Sequence, residues 1–409
     1  MPFASPAPAR RRWPLAVATS LSLCAAHAQA GDLRNFISDL YGGDGITLDR
    51  FGQFPHDAHF TEASLVALNG LGDGIASGLG ALAFNSTVSS FIFDVQQGIP
   101  VRNTESLGPL VAERANTIGE GRVNLGVSYT RARFTKFEGD DLDSLSVRLP
   151  HIDANEDGII GPPPDVFAFE FDEVQVDIDA EVRQQILSFY ASYGIRSNWD
   201  VGVIVPIVET KVEARAVATI IDNGGGDAFH RFGEFGDAAT DSTGGTATGL
   251  GDIVVRTKYA FEKSGGGAPE MAVVGQITMP TGDEDDLLGT GDWAGMGMFV
   301  ASRKYGSITP HVNVGYEHSS NSDRSNLRYL VGFDAQPGGS KDFTAAVDLL
   351  GRYYPNESDE RDHLIDVAIG AKWNAFGTAP LSANVILPLN DDEGLRAKVI
   401  WSVGIDYTF

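Results

Sequence analysis

Apolar and polar side chains alternate in the segment that ends the chain, WSVGIDYTF. Every second residue from Trp401 to Phe409 is apolar, and the residues between them are small or polar. Because side chains in a β-strand point to opposite faces in turn, one face of this strand is apolar and the other is polar. The closing aromatic residue favours a strand whose apolar face contacts lipid.

The same alternation recurs in a series of earlier segments: VNLGVSY, LSFYASYGI, VGVIVPI, IVVRTKYAF, VNVGYE, LRYLVGF, FTAAVDLL and LIDVAIGAKW. Alternating runs of about ten residues, separated by turn residues, are typical of membrane-barrel strands. The connections alternate in length, with short ones at 196–199, 263–269 and 303–307 and long acidic ones at 138–166, 222–249 and 282–292. Short periplasmic turns and long external loops are the arrangement of outer-membrane barrels.

These patterns predict an all-β fold, a transmembrane antiparallel up-and-down β-barrel formed by residues 86–409. The alternating runs indicate about twelve strands, or about fourteen if a further hairpin at residues 86–103 joins the barrel. We expect the sheet to close, because an open sheet edge would leave unpaired backbone groups in hydrocarbon.

Two further regions precede the predicted barrel. Residues 1–30 are predicted to be an export signal, because Arg10–Arg12 precede an apolar stretch and small residues at Ala28 and Ala30. Residues 31–85 contain the helix-like pieces LRNFISDLY and FTEASLVALNGL and are predicted to form a partly helical plug or hatch. The apolar stretch 65–84 contains Asn69 and Asp73, so we interpret it as packed against protein rather than spanning a membrane.

Aromatic residues at the predicted strand ends indicate girdles at both membrane interfaces. The inferred periplasmic girdle comprises Tyr259, Phe261, Tyr305, Trp373, Phe376, Tyr407 and Phe409. The inferred outer belt comprises Phe134, Phe137, Trp293, Tyr353 and Tyr354.

The polar face of the predicted strands becomes the lumen of the barrel. Its charged residues are Arg256, Lys258, Glu317, Arg328, Asp334, Asp348, Arg352, Asp366, Lys372, Lys398 and Asp406. Since their signs are mixed, we favour a network of ion pairs over an ion-selective pore, which usually shows one sign of charge. Ile204, Leu330, Ile386 and Ile400 fall on the same face, which indicates that part of the interior is apolar enough to pass an apolar solute.

The composition narrows the range of partners. The formal net charge is −25, and nucleic acid is not expected to bind because it requires a basic surface. The chain has one cysteine, Cys24, which lies in the predicted signal, so we expect no disulfide in the mature protein.

Three loop motifs contain side chains that could have a chemical role. Asp153, Asn155 and Asp157 in DANEDGII have the spacing that begins a calcium loop, but Pro164 stands where such a loop supplies a bidentate Glu. We therefore expect at most weak calcium binding in this external loop, and no other cofactor. The DEDD cluster at 283–286 is interpreted as a solvated acidic tip, and HRFGEF at 230–235 as an external loop or an inward-folded constriction.

We expect no enzymatic activity and assign no catalytic residue. The chain has no Gly-x-Ser-x-Gly motif, and the histidines of the mature chain have no spacing that suggests zinc. The alternative of a barrel hydrolase would use His318, which lies beside Ser319, Ser320 and Asn321.

Four segments carry a resemblance to a known family: SLGPLVAERANTIGEGRVNLGVSYTRARFTKFEGDDL, SNWDVGVIVPIV, GLGDIVVRTKYAF and MPTGDEDDLLGTG. They resemble the outer-membrane barrel proteins grouped as the transporter family of the meta-pathway of phenol degradation, over most of residues 86–409. That family is similar to the long-chain fatty-acid transporters of the outer membrane. The resemblance implies a barrel with a plug and a channel for a hydrophobic solute.

We therefore expect a monomer in the outer membrane of a Gram-negative bacterium that passes a small hydrophobic, in particular aromatic, compound passively. The expected partners are outer-membrane lipid, lipopolysaccharide, the solute, and the barrel-assembly machinery, which would bind the C-terminal strand. The alternative is a structural or surface-interaction barrel whose lumen is sealed by its charge network.

Overall fold

The computed structural model describes residues 32–49, 57–79, 91–94, 99–102, 107, 111–153, 171–223, 230–233, 236–262, 267–355, 363–374 and 379–409. The predicted signal, residues 1–30, lies outside the described residues. The long helix of the described part is α1 (Thr61–Leu79), and short 3-10 turns occur at Leu33–Asn35 and Leu40–Gly43. No described helix is both long and apolar enough to cross a membrane.

The strands follow in chain order as β1 (Phe91–Asp94), β2 (Ile99–Arg102), β3 (Val123–Phe137), β4 (Asp140–Asp141), β5 (Leu145–Pro150), β6 (Glu173–Arg196), β7 (Trp199–Ile221), β8 (Ala238–Leu250), β9 (Ile253–Ala260), β10 (Glu270–Met279), β11 (Ala294–Ser302), β12 (Ile308–Ser319), β13 (Asn326–Ala335), β14 (Phe343–Tyr353), β15 (His363–Trp373), β16 (Leu381–Pro388) and β17 (Leu395–Thr408).

Twelve of the strands in the described residues, β3, β6, β7 and β9 to β17, form a closed antiparallel barrel. Closure occurs at β3, which pairs with β17 on one side and with β6 on the other. The prediction of an all-β antiparallel barrel of about twelve strands is confirmed. The fourteen-strand alternative is wrong, because β1 and β2 pair with each other in a separate two-stranded sheet.

The two ends of the barrel differ in their connections. We call one end the turn end; it contains Val123, Phe409 and the short connections at 197–198 and 303–307. These connections join neighbouring strands with two and five residues. At the loop end, β6 and β7 continue to 24 and 23 residues, well beyond the roughly 9–11 residues that cross a bilayer. The sheet extension comprises β5, β8 and the parts of β6 and β7 that pair with them, residues 173–178 and 207–219.

The outer face of the barrel is a continuous apolar band. Its exposed residues include Leu125, Phe189, Val255, Val273, Ile277, Phe299, Val314, Val331, Phe333, Leu349, Ile369, Val385 and Val403. A water-soluble protein rarely exposes an apolar surface of this extent, because each exposed apolar group orders water at a cost in free energy. Such a band is typical of the surface of a membrane barrel that contacts lipid.

A charged residue in the middle of this band is expected to destabilise the barrel. Val331 lies mid-strand in β13 and is 52% exposed. Val331→Arg is expected to lower the free energy of unfolding by about 2–4 kcal/mol, because arginine is poorly solvated at the centre of a bilayer. Reversible denaturant unfolding in phospholipid vesicles measures the change, with Val331→Leu as the control for size. Equal stability of the two variants would contradict a lipid-facing position.

Aromatic residues border the band at both ends. At the turn end, Tyr259, Phe261, Tyr305, Trp373, Tyr407 and Phe409 are exposed, whereas Phe376 lies outside the described residues. At the loop end, Trp293 and Tyr353 are exposed.

The predicted outer belt is wrong for three of its aromatic residues. Phe134 is buried on the inner face of β3, because the alternation of this strand directs its even-numbered residues inward. Phe137 packs against α1, and Tyr354 lines an interior cavity. Of the five residues assigned to the outer belt, Trp293 and Tyr353 therefore remain on the described outer surface at the loop end.

The N-terminal segment packs on the sheet extension. Its buried residues Phe36, Ile37, Phe60, Leu68 and Ile75 form one apolar core with the inner residues of β5 to β8. Burial of these large side chains drives the docking, since removing apolar surface from water is favourable by about 25 cal/mol per Å². The segment predicted as a plug thus rests at the loop end, with α1 across the barrel mouth.

Candidate functional site

A cavity with a volume of about 270 Å³ lies inside the barrel near the loop end. Most of its wall is apolar, and includes Leu79, Phe134, Phe137, Ile186, Pro206, Val208, Leu287, Leu288, Leu364, Ile386, Leu395, Ala397 and Ile400. The two predicted apolar lumen residues Ile386 and Ile400 face each other across β16 and β17 as Cα partners. Ile204 and Leu330, the other two, are also buried.

Helix α1 forms the lid of this cavity. Gly74 and Gly78 lie one turn apart on the face of α1 that approaches the barrel rim. A Cβ atom added at Gly74 would lie 2.3 Å from Phe137 Cζ, and one added at Gly78 would lie 2.3 Å from Leu395 Cβ. The two glycines therefore allow a contact between helix and rim that larger residues would prevent.

The loop between β10 and β11 folds into the lumen beside α1. Leu287 and Leu288 are buried, and the main-chain carbonyl of Leu287 accepts a hydrogen bond of 2.9 Å from the Thr210 hydroxyl. Leu287 has a φ of 56°, a left-handed conformation that is uncommon for a residue with a branched side chain. Asp252 fixes the base of the loop by accepting from the main-chain N–H groups of Gly282 and Thr290.

The acidic cluster at 283–286 contacts the N-terminal segment. Arg34 Nη1 lies 3.4 Å from Glu284 Oε1, and the Arg34 main-chain N–H donates to the Asp285 carbonyl. The cluster predicted as a solvated tip therefore also helps to hold the lid region.

Ion pairs border the apolar wall of the cavity. Arg328 contacts Glu317 at 2.5 Å, and Arg396 contacts Asp366 at 2.7 Å. Arg352 lies 4.0 Å from the second oxygen of Asp366. These groups give an otherwise apolar cavity a polar margin, where a hydroxyl-bearing solute can form hydrogen bonds.

A separate stretch of chain closes the lumen towards the turn end. We call residues 111–122 the inserted segment; it runs inside the barrel before the chain enters β3. Glu113 contacts Arg256 at 2.6 Å and Lys258 at 3.1 Å, and Arg114 contacts Asp334 at 3.0 Å. All of these side chains are at least nine-tenths buried.

The charge state of Glu113 follows from its surroundings. Burial by itself would raise the pKa of this carboxyl, but the adjacent Arg256 and Lys258 outweigh it and hold the pKa at about 2. Glu113 is therefore ionised at neutral pH, and its carboxylate attaches the inserted segment to the wall.

Main-chain contacts add to this attachment. The Ile118 N–H donates to the Asp200 carboxylate at 2.9 Å, and Lys258 Nζ donates to the carbonyls of Arg114 and Asn116. Leu107, nearer the N-terminus, donates its N–H to the Thr344 hydroxyl at 2.9 Å.

The structure locates the remaining predicted lumen residues as follows. Asp348 is buried and accepts from His311 at 2.7 Å, and Lys372 and Asp406 are buried on the inner wall. Lys398 departs from its assigned face: it is exposed, at an irregularity where β17 and β3 change register, and Arg396 is the buried cation of that strand end. A bulge shifts the alternation and so invalidates a prediction based on period two.

Sequence reasoning missed Glu113, Arg114 and Arg396. The first two lie in VAERANTIGEGR, which has no alternation and offered no face on which to assign them. One signal could have found them: Glu113 and Arg114 are an adjacent acid and base in a stretch that has neither the alternation of a strand nor the composition of a turn.

The other sequence motifs have mixed outcomes. Asp153 is half-buried, whereas Asn155 and Asp157 lie outside the described residues, so weak calcium binding stays a prediction. His318 is exposed, and its Nδ1 lies 3.4 Å from the hydroxyl of Ser325. His230 is buried beside Asp172, while the end of its motif, residues 234–235, lies outside the described residues.

Comparison with known families and structures gives two kinds of match. The family described as "Putative MetA-pathway of phenol degradation" matches residues 170–377, which is just over half of the chain. A comparison with curated proteins found no match.

Several solved structures match the chain over most of its length. An outer-membrane channel from Pseudomonas putida F1 is 10% identical, with 73% of this chain and 99% of that chain covered and a TM-score of 0.47. The CymD monoaromatic hydrocarbon channel is 10% identical, with 82% and 97% covered and a TM-score of 0.34. A FadL homologue from Pseudomonas aeruginosa is 11% identical, with 81% and 96% covered and a TM-score of 0.34.

Proposed function

The chain belongs to the family of the MetA-pathway of phenol degradation, and from this premise we propose that it is an outer-membrane channel for small aromatic compounds. The solute moves passively, down its concentration gradient. No residue of the described lumen needs to react with the solute. The proposed channel binds the solute, excludes ions and releases the solute.

The observation that carries this proposal is the cavity under α1. An apolar cavity of about 150 Å³ is enough to hold benzene. The cavity here, about 270 Å³, has room for one aromatic ring with substituents. Its apolar wall favours the ring, and lining residues such as Gln184, Gln276 and Thr278 offer hydrogen-bonding groups to a phenolic hydroxyl.

The proposed route begins at the loop end, which we assign to the outside of the cell because its connections are long. The solute passes α1, occupies the cavity, and leaves after the inserted segment moves or through a gap in the wall. Ions are excluded because the lumen is covered at two levels: α1 covers the cavity at the loop end, and the ion-paired inserted segment lies across the lumen towards the turn end.

The remaining partners follow from the surface and the topology. The apolar band contacts outer-membrane lipid, and the charged sheet extension reaches the lipopolysaccharide layer. We further propose that the assembly machinery binds β17. This last strand of the barrel pairs with β3, which is the first barrel strand in the sequence. We propose a monomer, since the barrel closes on itself.

Filling the cavity is expected to block solute movement. Ile386→Trp with Ile400→Trp places two large rings on facing positions of the cavity wall and leaves little of its volume. Flux of phenol and toluene into vesicles with a lipopolysaccharide outer leaflet, which slows their direct permeation, is expected to fall to that of protein-free vesicles.

The matched control is Val385→Trp with Val403→Trp, which adds the same rings to the outer face of the same two strands. This variant is expected to retain flux, because tryptophan is tolerated against lipid. Equal flux through both double variants would mean that solute does not pass the cavity.

A sealed structural or interaction barrel is the competing function. It draws support from the fully buried ion pairs of Glu113 and Arg114, which close the turn end. This function requires that wild-type protein move neither ions nor aromatic solutes in the same vesicles, so one flux measurement separates the two proposals.

A further inference from the structure

Three buried histidines from distant parts of the chain meet beside the lid. His59 lies just before α1, His151 just after β5, and His230 in the connection between β7 and β8. One ligand nitrogen from each ring lies within 4.8 Å of the other two. The cluster is outside the lumen cavity, in the packed region where the N-terminal segment meets the sheet extension.

The hydrogen bonds of two rings define which nitrogens carry protons. His151 Nδ1 lies 2.5 Å from the Ile152 carbonyl, which can only accept, so Nδ1 is the protonated nitrogen. His230 Nδ1 likewise lies 2.8 Å from an oxygen of Asp172, so it carries the proton of that ring. In the neutral rings, the Nε2 atoms of His151 and His230 therefore both present lone pairs.

These two Nε2 atoms lie only 3.1 Å apart. Two lone pairs at this separation repel each other unless a cation lies between or beside them. The third ring adds a further candidate ligand, because His59 Nδ1 lies 3.3 Å from His230 Nε2.

The spacing fits tetrahedral coordination of a transition metal. With a metal–nitrogen bond of about 2.0–2.1 Å, neighbouring ligands of a tetrahedral site are about 3.3 Å apart. The separations of 3.1 and 3.3 Å match this value, and the ligand nitrogens of all three rings lie within 4.8 Å of one another. Imidazole nitrogens favour zinc, copper and nickel over calcium or magnesium, which prefer oxygen.

The surroundings resemble those of metal-binding histidines. A ligating histidine usually donates its second nitrogen to a carboxylate or a carbonyl, which fixes the ring and raises its basicity. Asp172 does this for His230, and the Ile152 carbonyl does it for His151. Both Asp172 and the three rings are more than nine-tenths buried, so the arrangement is held by packing.

We infer that His59, His151 and His230 form a binding site for a zinc ion, with Asp172 as the residue that orients His230. The ion joins the N-terminal segment to two connections of the sheet extension, and so attaches the base of α1 to the barrel. This role does not depend on which solute, if any, passes through the lumen.

Zinc binding to the full mature chain tests the inference directly. Protein without a polyhistidine tag is stripped with a chelator in detergent, then titrated with Zn²⁺ against a competing indicator and examined by mass spectrometry for bound metal. Saturable binding of one zinc ion per chain is expected. Co²⁺ in its place is expected to give the strong visible absorption of a tetrahedral site.

Variants identify the ligands. His151→Ala and His230→Ala are expected to abolish this binding, and Asp172→Asn to weaken it about 10- to 100-fold by releasing the ring of His230. His318→Gln, which changes an exposed histidine, is expected to bind like the wild type. The heat-dependent mobility of the barrel on electrophoresis verifies folding of each variant.

Two results would overturn the site. One is the absence of saturable zinc binding in folded wild-type protein, which would mean that a shared proton rather than a metal holds the rings together. The other is binding that Asp172→Asn and the histidine variants leave unchanged. In support, zinc is expected to slow amide hydrogen exchange in the first turns of α1, a readout that is independent of solute flux.

Discussion

Glu113→Ala is expected to convert the barrel into an ion-conducting pore. The substitution removes the carboxylate that contacts both Arg256 and Lys258 and leaves two cations buried side by side. Breaking a buried ion pair by removing one partner costs about 3–5 kcal/mol. The barrel itself is held by its continuous strand pairing, so we expect the loss to fall on the inserted segment, which leaves the lumen for part of the time.

Planar-bilayer recordings measure this change. The wild type is expected to conduct little, and Glu113→Ala is expected to show discrete openings with higher mean conductance. Glu120→Ala is the matched control, because it removes an exposed glutamate from the same segment. Indistinguishable recordings from Glu113→Ala and Glu120→Ala would mean that the inserted segment does not close the pore through this ion pair.

Gly78→Ala is expected to lift α1 from the barrel rim and to speed entry of solute. The new Cβ would lie 2.3 Å from Leu395 Cβ, an atom attached directly to the backbone of β17, so the clash cannot be relieved by a rotamer change. The helix must move, and with it the lid of the cavity. We expect faster flux of phenol and toluene, and little change in ion conductance, since the inserted segment stays in place.

Gly70→Ala provides the control for this substitution. It lies in the same helix, and an added Cβ would have no heavy atom within 4 Å. Alanine stabilises a helix interior relative to glycine by about 0.5–1 kcal/mol. Gly70→Ala is therefore expected to leave flux unchanged or slightly reduced. Faster flux in Gly70→Ala, or unchanged flux in Gly78→Ala, would contradict the assignment of α1 as the lid.

Together the two substitutions separate the two closures of the lumen. The lid at the loop end is an apolar contact that depends on small residues, whereas the closure at the turn end is a set of buried charges. An apolar contact can open without leaving a charge unpaired. This difference favours solute entry past α1 as the easier movement and ion exclusion as the task of the inserted segment.

The alternation of the sequence determined the barrel and most of its two faces. The period of two is a local property, and it assigned residues such as Val331 and Val403 outward and Asp334 and Asp348 inward without knowledge of their neighbours. The sequence also predicted that the sheet closes, because the bilayer core contains no water to hydrogen-bond the backbone groups of an open sheet edge. Where the period was interrupted, at the change of register beside Lys398, the assignment failed.

The lid, the inserted segment and the histidine cluster were decided by the tertiary structure alone. Glu113 meets Arg256 across 143 positions of sequence, and His59 meets His230 across 171. No local pattern records such contacts, which is why the spacing of the histidines gave no indication of zinc. They arise because closure of the barrel and docking of the N-terminal segment bring distant chain segments together. In these buried places a charge or a ring nitrogen is costly in free energy unless it has a partner.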